Sequence, residues 1–525
     1  MRPGHDFLMS YIKRNGNSKM RFLGVILFLV LTVFGFILSA YLILNASTVY
    51  MYVLAVLFLV LSTVSGLFNI ATSYWYYRSY FYGRHLRDIS KSLRPMSHFP
   101  TVAIAMPTFN EDPAMVEKNM LRLKSLNYPK GKLRFYLLDD STDDEKGKEL
   151  AAFSRRNNIV YLHRDERRGY KAGALNNMLR GSREEFVAIF DYDEYLTNRN
   201  FLLDTMPYFQ DDELSYIQTE KRYSNGTFFS ETINLFDGFF FKFVQPARAL
   251  NNTAIFAGSC GVIRRKALDV IGGFPEYVIE DTFFSFESDI NKYKSLYLPR
   301  VYALGKPIRS FSELAKQQWR YNYGDTQFLR YFIERKTKSK KLMSTLSKID
   351  YMTHGFGLNY LSSVLLLFTI TSILIVFSTY PISHISIRQL ISPTYLNMEL
   401  ELFGMGALII SIITPILLTK LYFGSAKKGF MVFLVNFALV FVRTKAALSA
   451  VLNLNPQHKW VRSSGGRSGS VIAAMQNSAF EIGFAALLFL LGSSALLIDN
   501  LSGGLWLLWY GLLYSSTFYF FYRYG

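Results

Sequence analysis

The chain has 525 residues, 50% hydrophobic and 16% aromatic, but only 18% charged, below the roughly one quarter usual for soluble domains. Its single cysteine, Cys260, excludes an intramolecular disulfide framework and any multi-cysteine zinc or iron–sulfur site. A net charge of +19 points to an anionic partner, whether nucleic acid, anionic lipid or phosphorylated substrate, and the placement of the charges decides among them.

From Phe22 to Tyr77 there is no charged side chain, and a spanning helix needs only about 20 apolar residues. The polar stretch Asn45–Thr48 divides this run into expected spans at 22–44 and 50–72, a retained hairpin rather than a cleaved leader. Uncharged stretches return at 355–378, 402–419, 482–498 and 500–522, giving about six expected transmembrane helices. The apolar run between Lys428 and Arg443 has only 14 residues and suits a helix lying in the membrane interface. Arg2, Lys13, Arg14, Lys19 and Arg21 precede the first span, and Arg78, Arg84, Arg87, Lys91 and Arg94 follow the second, whereas the loop at 45–49 has no Lys or Arg. By the positive-inside rule both termini and the middle domain are expected in the cytoplasm. The basic excess is then topological, and no nucleic-acid-binding signature competes with it.

Between the two membrane regions, residues 98–330 alternate short apolar runs with helical segments. Strands are expected at Val102–Met106, Phe135–Leu138, Ile159–Leu162, Phe186–Phe190 and Tyr216–Gln218, with helices near 113–125, 143–157 and 171–181. This alternation predicts a mostly parallel α/β sheet, which binds ligands at the carboxyl ends of its strands. Polar motifs fall there: PTFNED after the first strand, Asp139-Asp-Ser-Thr-Asp-Asp144 after the second, and Asp191-Tyr-Asp193-Glu194 after the fourth.

One acidic turn is commonly a helix N-cap. Asp191 and Asp193, two residues apart at the end of a buried strand, repel each other unless a cation joins them. Mg²⁺ or Mn²⁺ is the expected cation, with substrate phosphates supplying further oxygens. Lys171, in Gly-Tyr-Lys-Ala-Gly-Ala-Leu-Asn176, stands at a helix start, where free N–H groups also attract an anion. Asp281 follows a Gly-Gly-Phe-Pro turn, and Gln317, Arg320 and Tyr321 share one helical face. An Arg there suits a diphosphate and an aromatic ring suits a sugar.

Taken together, PTFNE (107–111), DDSTDD (139–144), GYKAGALN (169–176), DYDE (191–194), AGSCGVIRR to IGGFPEYVIED (257–281) and QQWRY (317–321) resemble the membrane-integrated family 2 glycosyltransferases, the group of cellulose, mannan and hyaluronan synthases. The signature of that family is a D, DxD, TED, QxxRW series in this order. Here Ile279 stands for the Thr of TED and Tyr321 for the Trp of QxxRW, while the carboxylates are kept. No second soluble regulatory domain is seen after the last span.

The resemblance implies a GT-A fold and inverting transfer from a UDP- or GDP-sugar to a polysaccharide or lipid acceptor, in the plasma membrane and in contact with its lipids. Thr108, Glu111 and Asp139 would hold the nucleoside. Asp191 and Asp193 would face the diphosphate and metal, and Lys171, Gln317 and Arg320 the donor and its leaving group. Asp281, beside Glu280, would be the general base, and Tyr321 with Trp319 the acceptor platform. Trp460, Arg462, Ser463 and Arg467 would belong to a gating loop at about 455–470. The expected domains are 1–97 (tail, hairpin and linker), 98–350 (catalytic) and 351–525 (membrane, with an interfacial helix at about 426–452). Six spans favour a processive synthase that threads its polymer through the membrane over single-sugar transfer to a lipid. A transporter with a nucleotide-binding domain would carry ionisable residues within its spans, and the expected spans have none.

Overall fold

The computed structural model describes residues 18–224, 226–335, 343–378, parts of 409–420, 424–454, 470–498 and 500–525. Two helices open it, α1 (Ser18–Leu44) and α2 (Val49–Ser92), packed as a hairpin with the Thr48 side chain capping α2. The helix α2 runs well beyond the expected end at residue 72. Its basic continuation is stabilised by burial, because Tyr82 and Leu86 enter the core of the α/β domain and the Tyr82 hydroxyl donates to the Tyr297 carbonyl. One continuous helix therefore joins an apolar stretch to the α/β domain.

That domain is built on ten strands: β1 (Val102–Thr108), β2 (Leu133–Asp139), β3 (Val160–His163), β4 (Phe186–Ile189), β5 (Tyr195–Leu196), β6 (Leu214–Thr219), β7 (Arg222–Tyr223), β8 (Gly261–Arg264), β9 (Lys294–Leu298) and β10 (Ala303–Gly305). Seven form a sheet in the order β3-β2-β1-β4-β8-β6-β9. Only β8 runs against its neighbours β4 and β6 within that sheet. The expected mostly parallel sheet is thus present, with one reversed strand that the alternation did not disclose. The remaining three make a small sheet, β5-β10-β7. The strand β1 is apolar on both faces because helices cover both sides of it. The covering helices include α3 (Pro113–Leu123), capped by Asp112, α4 (Asp144–Arg156), capped by Asp143, and α5 (Tyr170–Gly181). Helices α6 (Phe228–Phe239), α7 (Glu280–Ile290) and α8 (Phe311–Glu334) come next along the chain.

Among the described residues the longer C-terminal helices are α9 (Thr345–Ser378), α10 (Ala426–Ala438), α11 (Val440–Val451), α12 (Ala479–Leu497) and α13 (Leu501–Tyr524). The α/β domain docks on them through α6 and α8, where Phe229, Phe311, Met431, Val435 and Phe520 form one apolar cluster and Lys428 pairs with Glu231 at 2.6 Å. Among the described residues three helices are long and apolar enough to cross a membrane, Phe22–Leu44, Val49–Ser92 and Ala479–Leu497, or four if the bent pair α10–α11 is one span. This falls short of the six expected. The stretch at 402–419 lies mostly outside the described residues, and α9 is strongly apolar only over Leu361–Phe377. The segment expected to lie flat in the interface is two helices bent by 42°.

Candidate active site

The carboxyl ends of β1, β2 and β4 place three acidic turns side by side. At the first two, Thr108 Oγ1 donates to Asp139 Oδ1 (3.1 Å), as do the Ser141 hydroxyl (2.5 Å) and N–H (3.1 Å), while the Tyr161 hydroxyl donates to Asp139 Oδ2 (2.7 Å). Asp139 is fully buried and mostly committed to these donors, so it organises the turn. Glu111 is buried at the end of PTFNE. The helix-capping role weighed for the acidic turn falls to Asp143, which frees Asp139 and Asp140 for other contacts.

Asp140 takes Arg164 in a two-pronged pair, Nε to Oδ1 at 2.8 Å and Nη2 to Oδ2 at 2.5 Å. The same guanidinium donates to the carbonyls of Arg168 and Tyr170, both at 2.9 Å. Such a pair is directional as well as strong, and here it shapes the loop that enters α5. Gly169 sits at φ +72°, a conformation open to glycine without steric cost, and the next turn brings Lys171 inward. Asn176, the last residue of that motif, clamps the Gly-Gly-Phe-Pro turn through both amide atoms, donating to Phe274 O (2.9 Å) and accepting from Phe274 N (2.7 Å).

Lys171 Nζ lies 2.5 Å from Asp191 Oδ1. A second half-buried ammonium, Lys221, stands 3.5 Å from Asp191 Oδ2 and 3.3 Å from Glu194 Oε1, and it donates to Ser259 Oγ at 2.6 Å. Ser259 in turn donates to Glu194 at 2.7 Å. Burial alone would raise the Asp191 carboxyl, but Lys171 and Lys221 hold it well below the usual carboxylate range. Asp193 has the opposite environment. Burial first, then the charges of Asp191 and Glu194, push it up to about 7. It is the carboxylate of this cluster still in want of a cation, which fits a divalent ion. The described residues hold no group of three or more ligands, so such an ion would draw on substrate oxygens as well.

Asp281 sits in the first turn of α7, where its Oδ1 accepts from the Thr282 N–H at 2.8 Å. Burial raises its pKa, against the pull of Lys171, Lys221 and Arg320. Burial and then Asp281 push the neighbouring Glu280 up to about 7. Gly258, at φ +80°, faces Asp281. A Cβ there would lie 3.1 Å from Asp281 Oδ2 and 3.7 Å from Lys171 Nζ, so the carboxylate and ammonium converge on one bare stretch of backbone. On α8, Arg320 interacts with Glu280 and Asp281, and Tyr321 with Asp281. Ile279 is explained here as well. It is buried against α8, where a Cβ on Gly324 would approach its Cγ2 to 2.6 Å.

The structure thus brings together Lys171, Asp191, Asp193, Glu280, Asp281, Arg320 and Tyr321. Trp319 stands apart from this group. It stacks on Tyr323 (5.1 Å between centroids) and packs with Ala446 and Ala450 of α11, because residues two apart on a helix do not share a face. Trp460, Arg462, Ser463 and Arg467 lie outside the described residues. Lys221, Ser259 and Gly258 were not singled out from the sequence. The signal for Lys221 was a cation just past the end of β6, at the same sheet edge as the acidic turns.

A mixed sheet with carboxylates and half-buried ammonium groups gathered at its strand ends is a GT-A-like fold. Residues 103–272 match the family described as Glycosyl transferase family 2, and the chain carries a domain of that family. The cellulose synthase catalytic subunit [UDP-forming] of Pseudomonas fluorescens (strain SBW25) is 32% identical over 240 residues, 44% of this chain and 32% of the relative. That of Xanthomonas axonopodis pv. citri (strain 306) is 30% identical over 266 residues, 49% of this chain and 36% of the relative. The match therefore spans about a third of the length of these relatives. Among solved structures, the mannosyltransferase PcManGT from Pyrobaculum calidifontis, in complex with GDP-Man and Mn²⁺, superposes with a TM-score of 0.50 at 16% identity, over 75% of this chain and 99% of its own. This last likeness is one of fold.

Proposed function

We propose that the chain is an inverting membrane glycosyltransferase that moves a hexose from a UDP- or GDP-sugar onto a growing polysaccharide. The observation that carries this reading is the convergence of Asp281 and Lys171 on Gly258. A base for the acceptor hydroxyl and a cation for the leaving diphosphate both approach the point that a side chain at Gly258 would fill. Transfer needs both, since an alcohol attacks the anomeric carbon only as its proton is removed, and a diphosphate leaves only as its charge is met.

Asp281 Oδ2 takes the acceptor proton, on the face of the sugar opposite the leaving group. Lys171 and Arg320 meet the diphosphate, and Thr108, Glu111 and the turn organised by Asp139 border the nucleoside. Asp193 and Asp191 would hold Mg²⁺ or Mn²⁺, whose chemistry is to neutralise the leaving phosphate oxygens. The family match, the named relatives and the apolar helices support polymer synthesis at a membrane, with the catalytic domain on the side where Lys and Arg are enriched. The proposed domain limits are 1–97, 98–350 and 351–525.

The test is to incubate the purified full chain in lipid nanodiscs with UDP- and GDP-hexoses and Mn²⁺ or Mg²⁺, with Asp281→Asn in parallel. Polymer formation supports the reading. A single-sugar glycolipid confines it to non-processive transfer, and no turnover of any donor refutes it.

A further inference from the structure

The turn that carries Asp281 is held from outside the α/β sheet, by the first turns of α9. The Tyr351 hydroxyl donates to the Ser285 carbonyl of α7 at 2.9 Å. The Ser285 hydroxyl donates to the Asp281 carbonyl (2.7 Å) and accepts the N–H of Phe256 (2.8 Å), in the segment that leads to Gly258. One turn further along α9, His354 Nε2 lies 3.4 Å from Thr282 Oγ1 and 3.8 Å from Asp325 Oδ1 of α8. Thr282 is the residue whose N–H meets the Asp281 carboxylate.

Tyr351 and His354 share their face of α9 with Asp350, and Asp350 fixes that face in place. Its carboxylate accepts from Asn251 Nδ2 (2.8 Å), from Thr253 Oγ1 (2.7 Å) and, at 3.4 Å, from Trp75 Nε1 of α2. The fully buried Arg248 guanidinium donates to its carbonyl. On the opposite face Leu346, Ile349 and Met352 are exposed and apolar, and the helix continues into the apolar run Leu361–Phe377.

Packing alone does not call for these side chains. Tyr351 lies among Ile279, Phe283, Phe286 and Phe328, where a phenylalanine would fill nearly the same volume without a polar atom to satisfy. A hydroxyl and an imidazole set there are costly unless their partners stand at particular points, so they specify one placement of α7 on α9. The partners they meet, Ser285 and Thr282, are the two residues of α7 that hydrogen-bond Asp281.

We propose that Tyr351 and His354 are positioning residues for the transfer reaction, acting through Ser285 and Thr282 to hold Asp281 where it faces Gly258. A helix that continues into the apolar region thereby sets where the base stands. The inference rests on the reading of Asp281 as the base and adds to it what orients that base.

The experiment compares Tyr351→Phe and His354→Leu in the full chain in lipid nanodiscs. Tyr128→Phe is the control, because Tyr128 likewise donates to a single carbonyl, Pro100 O at 2.9 Å, away from the strand ends that carry the site. Diphosphate release is followed with a panel of UDP- and GDP-hexoses and Mn²⁺, UDP and GDP binding by calorimetry, and amide hydrogen exchange over 280–286 by mass spectrometry. Tyr351→Phe and His354→Leu are expected to lower kcat about tenfold, as for loss of a hydrogen bond that aligns a reacting group, with nucleotide affinity changed by less than about twofold. In the Asp281→Asn background Tyr351→Phe is expected to cost less than about twofold, since a residue that acts through the base has nothing left to align. Exchange over 280–286 should rise about tenfold in Tyr351→Phe and keep the wild-type rate in Tyr128→Phe. A cost that persists undiminished in the Asp281→Asn background, wild-type kcat in both α9 variants, or unchanged exchange over 280–286 overturns the positioning role. Tyr351→Phe removes a single oxygen, so its comparison across the two backgrounds stands even if His354→Leu folds poorly. A wild type that releases no diphosphate from any donor, or an Asp281→Asn variant as fast as wild type, overturns the reading of the base instead, and the exchange over 280–286 still decides whether α9 holds the turn.

Discussion

Replacing Gly258 by alanine separates the backbone demand of the site from its chemistry. The residue sits at φ +80°, where an L side chain costs about 1–2 kcal/mol. The added methyl would meet Asp281 Oδ2 at 3.1 Å and Lys171 Nζ at 3.7 Å. The carboxylate must therefore give way by a few tenths of an ångström. A misplacement of about 1 Å can cost about 10²-fold in rate, so a shift of this size is worth about tenfold. Gly272 provides the control, because it has φ +90° and nothing within 4 Å of an added methyl group, so its alanine variant bears the backbone cost alone. Both variants are expected to lower the thermal midpoint of the catalytic domain by about 2–8 °C. Only Gly258→Ala is expected to lose about tenfold in kcat with any accepted donor. Equal kcat values for the two variants would refute the convergence of base and cation at this point.

Asp281→Asn is expected to lower turnover by about 10²–10⁴ while leaving donor affinity within a few-fold, measured by initial rates and nucleotide-sugar titration. In the native protein the base works only when deprotonated, so kcat/KM falls as pH drops through its pKa. Burial raises that pKa, so the acid limb should lie above the ordinary aspartate value of about 3.9, and a limb at or below it contradicts the assignment. Chelation by EDTA should stop turnover, and Asp193→Ala should weaken Mn²⁺-dependent nucleotide-sugar binding by calorimetry; full activity in excess chelator excludes the metal role. Gly324→Ala drives a methyl against Ile279, 2.6 Å from Cγ2, and should displace the Glu280–Asp281 turn and cut kcat. Adding Ile279→Ala should restore part of that loss, and strictly additive effects would show that the contact does not position the base.

The order of the chemistry along the chain was readable from the residues alone. Apolar strands such as Val102–Thr108 and Phe186–Ile189 are continuous hydrophobic runs because they are buried on both faces, and the turn after each is polar because a strand end is where the chain meets ligand and solvent. Charge-free runs at 22–77 and 482–498 likewise mark helices that cannot be solvated along their length. Side-chain partners were a different matter, since they depend on which strand ends become neighbours across the sheet. Lys221 joins Asp191 only because β6 lies one strand beyond β8 from β4, an order set by the reversal of β8, and a four-residue strand carries too little pattern to announce itself. The same holds for Trp319 and Tyr321. They are two residues apart in sequence, yet helical geometry sends one to the packing against α11 and leaves the other beside Asp281. Composition and periodicity determine which segments are buried and which motifs sit at their ends. Only the tertiary structure decides which charges meet, because ion pairs and hydrogen bonds act over a few ångströms, and chain separation does not encode such distances.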